Sequence, residues 1–401
     1  MTSPSERPGG RRAAPLAAAA IARAAARAGG RPIRPQTVGG RRLPAGSVVA
    51  VAMSGGVDSA VAAALVVAAG LPAFGVTMRL WGEVPTDGGG CCSVDAVEDA
   101  RRAATRLGMA HYVLDLSGPF ADTVVRDFVD TAGSGRTPNP CVRCNQWIKF
   151  SALLERVRAV GATHLATGHY ARVRAGADGR CTLHRALDVR KDQSYTLYHC
   201  GPGTLAAVCL PLGEVEKVLV RRIAAGLGLG VAAKPDSQEL CFVGGDHRAW
   251  LRQRLGSRAR PGPIVSVDGT VVGGHTGLAG YTVGQRSGLG LSAVGPSQRP
   301  LYVLRLDPQH NRLVVGPREA LCVRQAVVEG CVYLDGRPPA GPIRAEVQLR
   351  AHGGAVAATW EPGSDGCARV RFEEPEPLVA PGQSAVCYRG DRVVAGGTLA
   401  A

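Results

Sequence analysis

The sequence lacks several features that would place it in a class of protein at once. No apolar run approaches the roughly 20 residues that a membrane-crossing helix needs, and no apolar core of a secretory signal is recognisable. Aromatic residues make up only 4% of the chain. These absences argue against a membrane-spanning or secreted protein, so we expect a protein of the cytoplasm that has no membrane partner.

The cysteines match neither a disulfide scaffold nor a complete zinc site. Twelve cysteines in 401 residues, without a secretory signal, indicate a reducing compartment. Cys141 and Cys144 form a Cys-x-x-Cys pair, but no second such pair and no His-x-x-x-His spacing would complete four zinc ligands. Half of a zinc site, a thioredoxin-like pair, or an iron–sulfur cluster that also uses Cys241 therefore remain as alternatives for this pair. The adjacent Cys91 and Cys92 also stand out.

Positive charge is concentrated near the N-terminus. The formal net charge is +15, and residues 1–45 contain nine arginines against one acidic residue, Glu6. The surplus in the rest of the chain is compatible with binding a polyanion such as RNA, although solubility alone would also explain it. We interpret residues 1–45, which are rich in Ala, Arg, Gly and Pro, as a disordered basic extension, with an organelle transit peptide as the alternative.

Alternating strands and helices predict an α/β doubly wound parallel sheet over residues 46–247. Predicted strands at 48–53, 73–78, 111–114 and 164–167 are separated by predicted helices at 60–69, 94–107 and 148–160. After residue 247 the sequence pattern changes to short predicted strands that are separated by Gly and Pro. We therefore predict a small β-rich central domain at 248–300 and a C-terminal β-barrel at 301–401.

A glycine-rich turn joins the first predicted strand to the first predicted helix. Residues 54–59 read Ser-Gly-Gly-Val-Asp-Ser, where the glycines allow a phosphate to approach backbone N–H groups at a helix N-terminus. Asp58 would repel bare phosphates, so we expect it to help to hold Mg²⁺. The turn lacks the Gly-Lys-Ser/Thr ending of the Walker loop. It resembles the signature of the N-type ATP pyrophosphatases, which cleave ATP between the α and β phosphates.

Two cysteine-bearing segments are the other informative stretches. Residues 137–150 read TPNPCVRCNQWIKF, in which we predict a proline-fixed extended loop followed by a helix from Ile148. A cysteine close to a helix N-terminus and to Arg143 and Lys149 should favour its thiolate. Residues 236–242 read DSQELCF and present Cys241 in a polar loop.

Together these motifs resemble the tRNA-specific 2-thiouridylase family, in order and spacing from about residue 46 to the end. The other matching stretches are ATGHYAR (166–172), KDQSY (191–195), YTVGQRSGL (281–289) and PGQSAV (381–386). The resemblance implies ATP-dependent 2-thiolation of the wobble uridine in tRNAs for Lys, Glu and Gln. It also implies a tRNA anticodon stem-loop as partner, and a cysteine desulfurase or sulfur-relay protein as sulfur donor.

The resemblance also implies roles for individual residues. Cys144 matches the nucleophile and Cys241 the persulfide carrier, and the two would form a transient disulfide. ATP would contact Ala52, Met53, Ser54, Gly55, Gly56, Val57, Asp58, Ser59, Met78 and Gly168. The target base and tRNA would contact Asn139, Pro140, Cys141, His169, Lys191, Asp192, Gln193, Arg350, Ala351 and Gln383.

One position departs from the family pattern. Many members have Asp where this chain has Cys141, and that Asp is a candidate general acid or base. A thiol with a pKa near 8.5 is a poorer base at neutral pH, so proton transfer would be handled elsewhere or would not be essential. The sequence favours ATP and Mg²⁺ over an iron–sulfur cluster as cofactors. A GMP-synthetase-like amidotransferase and a non-enzymatic RNA-binding module are the competing functions.

Overall fold

The computed structural model describes residues 16, 18–81, 94–236, 240–243, 246–291, 300–351, 353–377 and 379–400. The first domain combines helices with short strands. Its elements are, in chain order, α1 (Ala18–Arg27), β1 (Val49–Ala52), α2 (Val57–Ala68), β2 (Ala73–Arg79), α3 (Val94–Arg106), β3 (Ala110–Asp115), α4 (117–133), α5 (140–159), β4 (His164–Ala166), β5 (Arg172–Ala175), β6 (Cys181–His184), α6 (Pro202–Ala207), β7 (Val208–Cys209) and α7 (Lys217–Gly226).

Five of these strands form a parallel sheet in the order β3-β2-β1-β4-β7. The central strand β1 is buried from Val49 to Val51, because these residues are apolar on both faces, as parallel sheets require. Ala50 packs into one hydrophobic core and its two neighbours pack into another, so the sheet separates two cores. This architecture confirms the predicted α/β doubly wound fold.

The predicted disordered extension is wrong for residues 18–45. Helix α1 packs against α2 and α7 and buries Ile21 and Ala25, which lie four residues apart on one helix face. A short hairpin pairs Thr37–Val38 with Arg41–Arg42. The alanine-rich composition concealed this stripe, because small side chains bury a helix face without the usual large apolar residues. Residues 1–15 and 17 of the predicted extension lie outside the described residues.

The buried side chain of Ile21 gives a test of this correction. Ile21→Ala removes a side chain with 0% exposure and should lower the free energy of unfolding by about 2–5 kcal/mol. Urea unfolding followed by circular dichroism measures the change. Arg23→Ala, on the exposed side of the same helix, is the control and should shift stability by about 0.5 kcal/mol or less. Equal stability of the two variants would show that α1 does not dock in solution.

The middle domain is built on a four-stranded sheet. Its elements are α8 (His247–Leu255), β8 (Gly262–Ser266), β9 (Val271–His275), β10 (Tyr302–Asp307) and β11 (Arg312–Gly316), and the strand order is β9-β8-β11-β10. The expected boundary between residues 300 and 301 differs from the structure. Strands β10 and β11 complete this sheet through parallel pairing of β8 with β11, so the domain continues to about residue 317.

The C-terminal domain is a closed six-stranded barrel. Its strands are β12 (Val323–Tyr333), β13 (Ile343–Gln348), β14 (Ala355–Pro362), β15 (Ala368–Glu376), β16 (Ser384–Arg389) and β17 (Arg392–Leu399). Pairing of β12 with β17 closes the barrel around the fully buried Trp360. Strand β6 of the β5–β6 hairpin in the first domain pairs with β17 at His184 and Arg392. Among the described helices, none has both the length and the apolar character needed to cross a bilayer.

Candidate active site

The glycine-rich turn lies at the carboxyl end of β1, just before α2. The hydroxyl of Ser59 accepts a hydrogen bond from the N–H of Ser54 at 3.1 Å and donates to the carbonyl of Gly56 at 3.1 Å. The Thr77 hydroxyl donates to the carbonyl of Met53 at 2.7 Å and ties the turn to β2. The turn is thus held in one shape, with backbone N–H groups at the start of α2 available to an anion.

Two glycines permit the close backbone contacts of this turn. Gly55 has φ of +69°, and a Cβ at this position would lie 2.2 Å from the carbonyl oxygen of Ala96. Gly168 follows β4, and a Cβ there would lie 2.8 Å from the backbone nitrogen of Ser59. The predicted nucleotide-contacting residues 52–59 and 168 therefore meet at one edge of the sheet, and Met78 lies near the end of the neighbouring strand β2.

Both carboxylate oxygens of Asp58 are engaged within the protein. Lys217 Nζ donates to each at 2.7 Å, and the Tyr170 hydroxyl donates to Oδ1 at 2.7 Å. Burial and the charge of Asp58 raise the pKa of Tyr170. Asp58 is therefore already paired with a cation of the protein, and its Mg²⁺ contact stays a prediction. In the described ranges, no three His, Cys, Asp or Glu side chains are grouped to hold a metal ion.

Sequence reasoning missed two lysines beside this turn, Lys217 and Lys234. Lys217 is 8% exposed and bridges Asp58 to Asp236, whose Oδ1 lies 2.8 Å from its Nζ. Lys234 Nζ donates to the Gly55 carbonyl at 3.1 Å and to Asp99 at 2.8 Å. Only the fold could identify them, because they follow the turn by 159 and 179 residues along the chain.

Cys144 lies in the first turns of a helix rather than in an extended loop. Helix α5 begins at Pro140 instead of the predicted Ile148, and it takes π-helical geometry over Cys144–Leu153. Pro140 suits the first helical position because its φ is fixed and it has no N–H to satisfy. The Asn139 side chain accepts from the Val142 N–H at 3.4 Å and caps the helix. Cys144 is 8% exposed, whereas Cys141 is exposed.

Cys241 is held next to a cluster of aromatic rings. The following residue, Phe242, is 3% exposed, and its ring centroid lies 5.4 Å from that of Phe128 on α4. Asp127, the neighbour of Phe128, lies 3.7 Å from Arg143, which directly precedes Cys144. Burial raises the pKa of Asp127 although Arg143 opposes the shift. Helix α4 therefore connects the two predicted cysteine segments, and both cysteines contact the same hydrophobic core.

The predicted tRNA-contacting residues near position 190 divide into two groups. Lys191 pairs with Asp236 at 2.8 Å, and the exposed Gln193 accepts from the Tyr170 N–H at 3.0 Å. The Asp192 carboxylate, only 6% exposed, instead accepts from Arg185 and from the Ser194 hydroxyl. This network holds the Asp192 carboxylate within the protein, and the contact of residue 192 with tRNA stays a prediction.

The C-terminal barrel contributes directly to the surroundings of Cys144. The Thr137 N–H donates to the carbonyl of Pro381 at 2.7 Å, and the Gln383 side chain donates to the carbonyl of Pro138 at 3.4 Å. Arg143 reaches the Thr398 hydroxyl at 3.3 Å. The structure therefore places Gln383 against the segment that carries the predicted target-base residues 139–141.

Arg350 and Ala351 lie in the barrel loop that follows β13. Their carbonyls accept from the Gln348 side chain at 3.0 and 3.2 Å. The oxygen of that same amide accepts from Arg185 at 3.1 Å, and Arg185 in turn holds Asp192. The Arg350 side chain itself is exposed. The barrel loop is thus connected to the loop at 191–193 through partly buried polar contacts.

Three histidines of the first domain should make the fold sensitive to acid. Burial lowers the pKa of His164 to about 4 and of His199 to about 3, and it lowers that of His169 well below the ordinary 6.5. The unfolded chain therefore binds protons at a higher pH than the folded one. The stabilisation is complete above pH 6.5 and is lost as the pH falls toward the folded pKa values.

We therefore expect the free energy of unfolding to fall between pH 7 and pH 5. The slope should approach about 1.4 kcal/mol per pH unit for each histidine. Urea unfolding at several pH values measures it, and His199→Phe should reduce the slope by removing one of the three groups. A flat profile over this range would contradict the burial of neutral imidazoles.

Comparisons with known proteins follow the domain structure. Residues 47–245 match a family model described as the tRNA methyl transferase HUP domain, residues 248–317 match the tRNA methyl transferase PRC-barrel domain, and residues 323–399 match the aminomethyltransferase beta-barrel domain. A U34-tRNA thiolase of Methanococcus maripaludis, solved with its [4Fe-4S] cluster, is 18% identical over 59% of this chain and 70% of its own, with a TM-score of 0.33. That likeness is too distant to bear on function.

Full-length relatives are much closer. A tRNA-specific 2-thiouridylase of Rhizorhabdus wittichii is 48% identical over 93% of this chain and 97% of its own length. The proteins of the same name from Beutenbergia cavernae and Salinispora arenicola are 49% and 48% identical over 88% of this chain, and over 94% and 99% of their own lengths. Identity at this level over nearly the whole of both chains shows that this chain belongs to the tRNA-specific 2-thiouridylase family.

Proposed function

We propose that this chain is an ATP-dependent sulfurtransferase that replaces the C2 oxygen of the wobble uridine by sulfur in tRNAs for Lys, Glu and Gln. Family membership supports this proposal, since the relatives are named tRNA-specific 2-thiouridylases. The single observation that carries the mechanism is the bridge formed by Lys217. It joins Asp58 of the glycine-rich turn to Asp236, five residues before Cys241, with contacts of 2.7 and 2.8 Å.

In the proposed first step, the C2 oxygen of uridine attacks the α-phosphate of ATP. The bond between the α and β phosphates breaks, pyrophosphate leaves, and an O-adenylated base forms. The backbone N–H groups of residues 54–59 and the nearby Lys234 would stabilise negative charge on the phosphates. Mg²⁺, when bound, would neutralise part of the same charge. Activation is necessary because the carbonyl oxygen is otherwise a poor leaving group.

In the proposed second step, a persulfide on Cys241 supplies the sulfur. Its terminal sulfur attacks C2 and AMP leaves. Cys144 then attacks Cys241 Sγ, so that the sulfur–sulfur bond to the base breaks, its electron pair completes the thiocarbonyl, and a Cys144–Cys241 disulfide forms. A cellular thiol reductant reopens the disulfide, and an upstream cysteine desulfurase or sulfur-relay protein reloads Cys241. For disulfide formation the two Cα atoms must come within about 4.4–6.8 Å.

RNA recognition would use the region where the barrel contacts the first domain. Lys191, Gln193 and Arg350 would offer polar or charged groups for it, and the Gln383 side chain donates a hydrogen bond to the Pro138 carbonyl. Anticodon bases are read by unstacking single-stranded nucleotides into such protein loops. Cys141, exposed near Cys144, replaces the carboxylate that many family members have, and a thiol would be a poorer base at neutral pH, so proton transfer would be handled elsewhere or would not be essential.

The decisive experiment is mass spectrometry of the wobble nucleoside. Unmodified tRNA is incubated with the protein, ATP, Mg²⁺ and a cysteine desulfurase with cysteine, and then digested. The proposal predicts ATP-dependent oxygen-to-sulfur exchange, with a mass gain distinct from that of a methyl group. Ammonia-dependent amination would instead indicate an amidotransferase, and tRNA binding without pyrophosphate release would indicate an RNA-binding module. Iron and visible absorbance after anaerobic purification would indicate an iron–sulfur thiolase.

A further inference from the structure

Asp236 is the meeting point of three cationic side chains. Its Oδ1 lies 2.8 Å from both Lys217 Nζ and an Arg221 nitrogen, and its Oδ2 lies 2.8 Å from Lys191 Nζ. Burial alone would raise the pKa of Asp236, but the hydrogen bonds from Lys191 and Lys217 lower it to about 2. The carboxylate is therefore ionised at any working pH. Its side chain is 26% exposed, which weakens screening by water.

Each cation connects Asp236 to a different part of the site. Lys217 also holds Asp58 of the glycine-rich turn, at 2.7 Å from both of its oxygens. Lys191 belongs to the loop that the proposed function assigns to RNA contact. Arg221 donates to the carbonyls of Ala232 and Lys234 at 3.0 Å, which fastens the chain before Asp236 onto α7. Nucleotide loop, RNA-facing loop and α7 thus converge on one carboxylate.

The position of Asp236 in the chain restricts where Cys241 can go. Five residue steps span at most about 18 Å, so the Cα of Cys241 stays within that distance of the Cα of Asp236. On the other side, Phe242 is locked among aromatic rings, with centroids 5.5 Å from Phe120 and 5.6 Å from Trp250. Residues 236 and 242, on either side of Cys241 in the chain, are therefore held in place, the first by charge and the second by packing.

We propose that Asp236 is a positioning residue that aligns Cys241 with the nucleotide loop, so that occupancy of the loop by ATP governs the reactivity of the Cys241 sulfur. The inference rests on the proposed function, because it assigns sulfur delivery to Cys241. Asp236 itself touches no reacting atom. Its loss leaves the contact between Lys217 and Asp58 in place, so activation of uridine should survive while sulfur transfer slows.

Asp236→Asn in the full-length protein separates the two steps. In a single turnover with Cys241 preloaded with sulfur, we expect pyrophosphate release within about threefold of wild type and thiolation slowed about tenfold or more. Alkylation of Cys241 should depend on a non-hydrolysable ATP analogue in the wild type, and this dependence should disappear in Asp236→Asn. A purely structural role would not change that nucleotide dependence.

Asp307→Asn is the matched control, since Asp307 is also a poorly exposed carboxylate held by two cationic partners, Arg305 and Arg312, in the middle domain. It should preserve both steps and the nucleotide dependence. If the wild type thiolates tRNA, two results for Asp236→Asn would overturn the inference but not the proposed function. One is unchanged sulfur transfer, and the other is an equal loss of pyrophosphate release and sulfur transfer. Absence of sulfur incorporation by the wild type would overturn the proposed function instead.

Discussion

Cys144→Ser and Cys241→Ser should each reduce sulfur incorporation into tRNA on the order of 10³-fold or more, because a serine hydroxyl neither carries a persulfide nor closes a disulfide. Pyrophosphate release on addition of ATP and tRNA should persist in both variants, since the glycine-rich turn is intact. The measurement is nucleoside mass spectrometry in parallel with a pyrophosphate assay. Pyrophosphate release should continue without sulfur incorporation only if the cysteines act after uridine has been activated.

Controls of matched burial distinguish chemistry from packing. Cys200 is 2% exposed, burial raises the pKa of its thiol, and Cys200→Ser therefore tests the cost of placing a hydroxyl in the core. Cys367, of intermediate exposure, is the corresponding control for Cys241. Both control variants should thiolate tRNA, apart from any loss of stability. Full activity in Cys144→Ser and Cys241→Ser would exclude the proposed sulfur chemistry.

Gly55→Ala is the second substitution with a large expected effect. The added Cβ would lie 2.2 Å from the Ala96 carbonyl oxygen in a left-handed backbone conformation, so the turn must move away from α3. A displacement of this size at a phosphate-binding turn should slow tRNA-dependent pyrophosphate release on the order of 10²-fold. Steady-state assays across a range of ATP concentrations would measure the loss.

Gly70→Ala is the control that separates the cost of the left-handed backbone from the steric clash expected in Gly55→Ala. Gly70 has φ of +72°, close to that of Gly55, but a Cβ there meets nothing within 4 Å. Its substitution carries the same conformational cost of about 1 kcal/mol and should leave pyrophosphate release unchanged. Equal loss of activity in the two variants would mean that stability, and not the shape of the turn, limits catalysis.

Local sequence patterns were sufficient for the central sheet and its glycine-rich turn. Short Val- and Ala-rich runs separated by helices predict buried parallel strands, and the strands at Val49–Ala52 and Ala73–Arg79 confirm them. The start of α5 was wrong because Asn-Pro was interpreted only as a loop signal. The same pair also begins helices, when the amide caps and the proline occupies the first turn.

Long-range contacts account for the other differences. The predicted end of the middle domain at residue 300 was wrong because β8 pairs with β11. These strands are about 50 residues apart, and no local pattern encodes their pairing. Lys217, Lys234 and Asp236 acquire their importance only when α7 is placed beside the glycine-rich turn. The extension was misjudged because its apolar face consists mostly of alanine, with Ile21 as the one large buried side chain of α1.

The hydrogen bond from Gln383 to Pro138 has a consequence for synthesis on the ribosome. Its partners are 245 residues apart along the chain, so the first domain emerges from the exit tunnel long before the barrel that covers the cysteine segment. Closing a loop of this length is slow compared with local helix formation. A nascent chain can therefore complete its sheet early, but it acquires the contact between the barrel and residue 138 only when translation has reached the last strands.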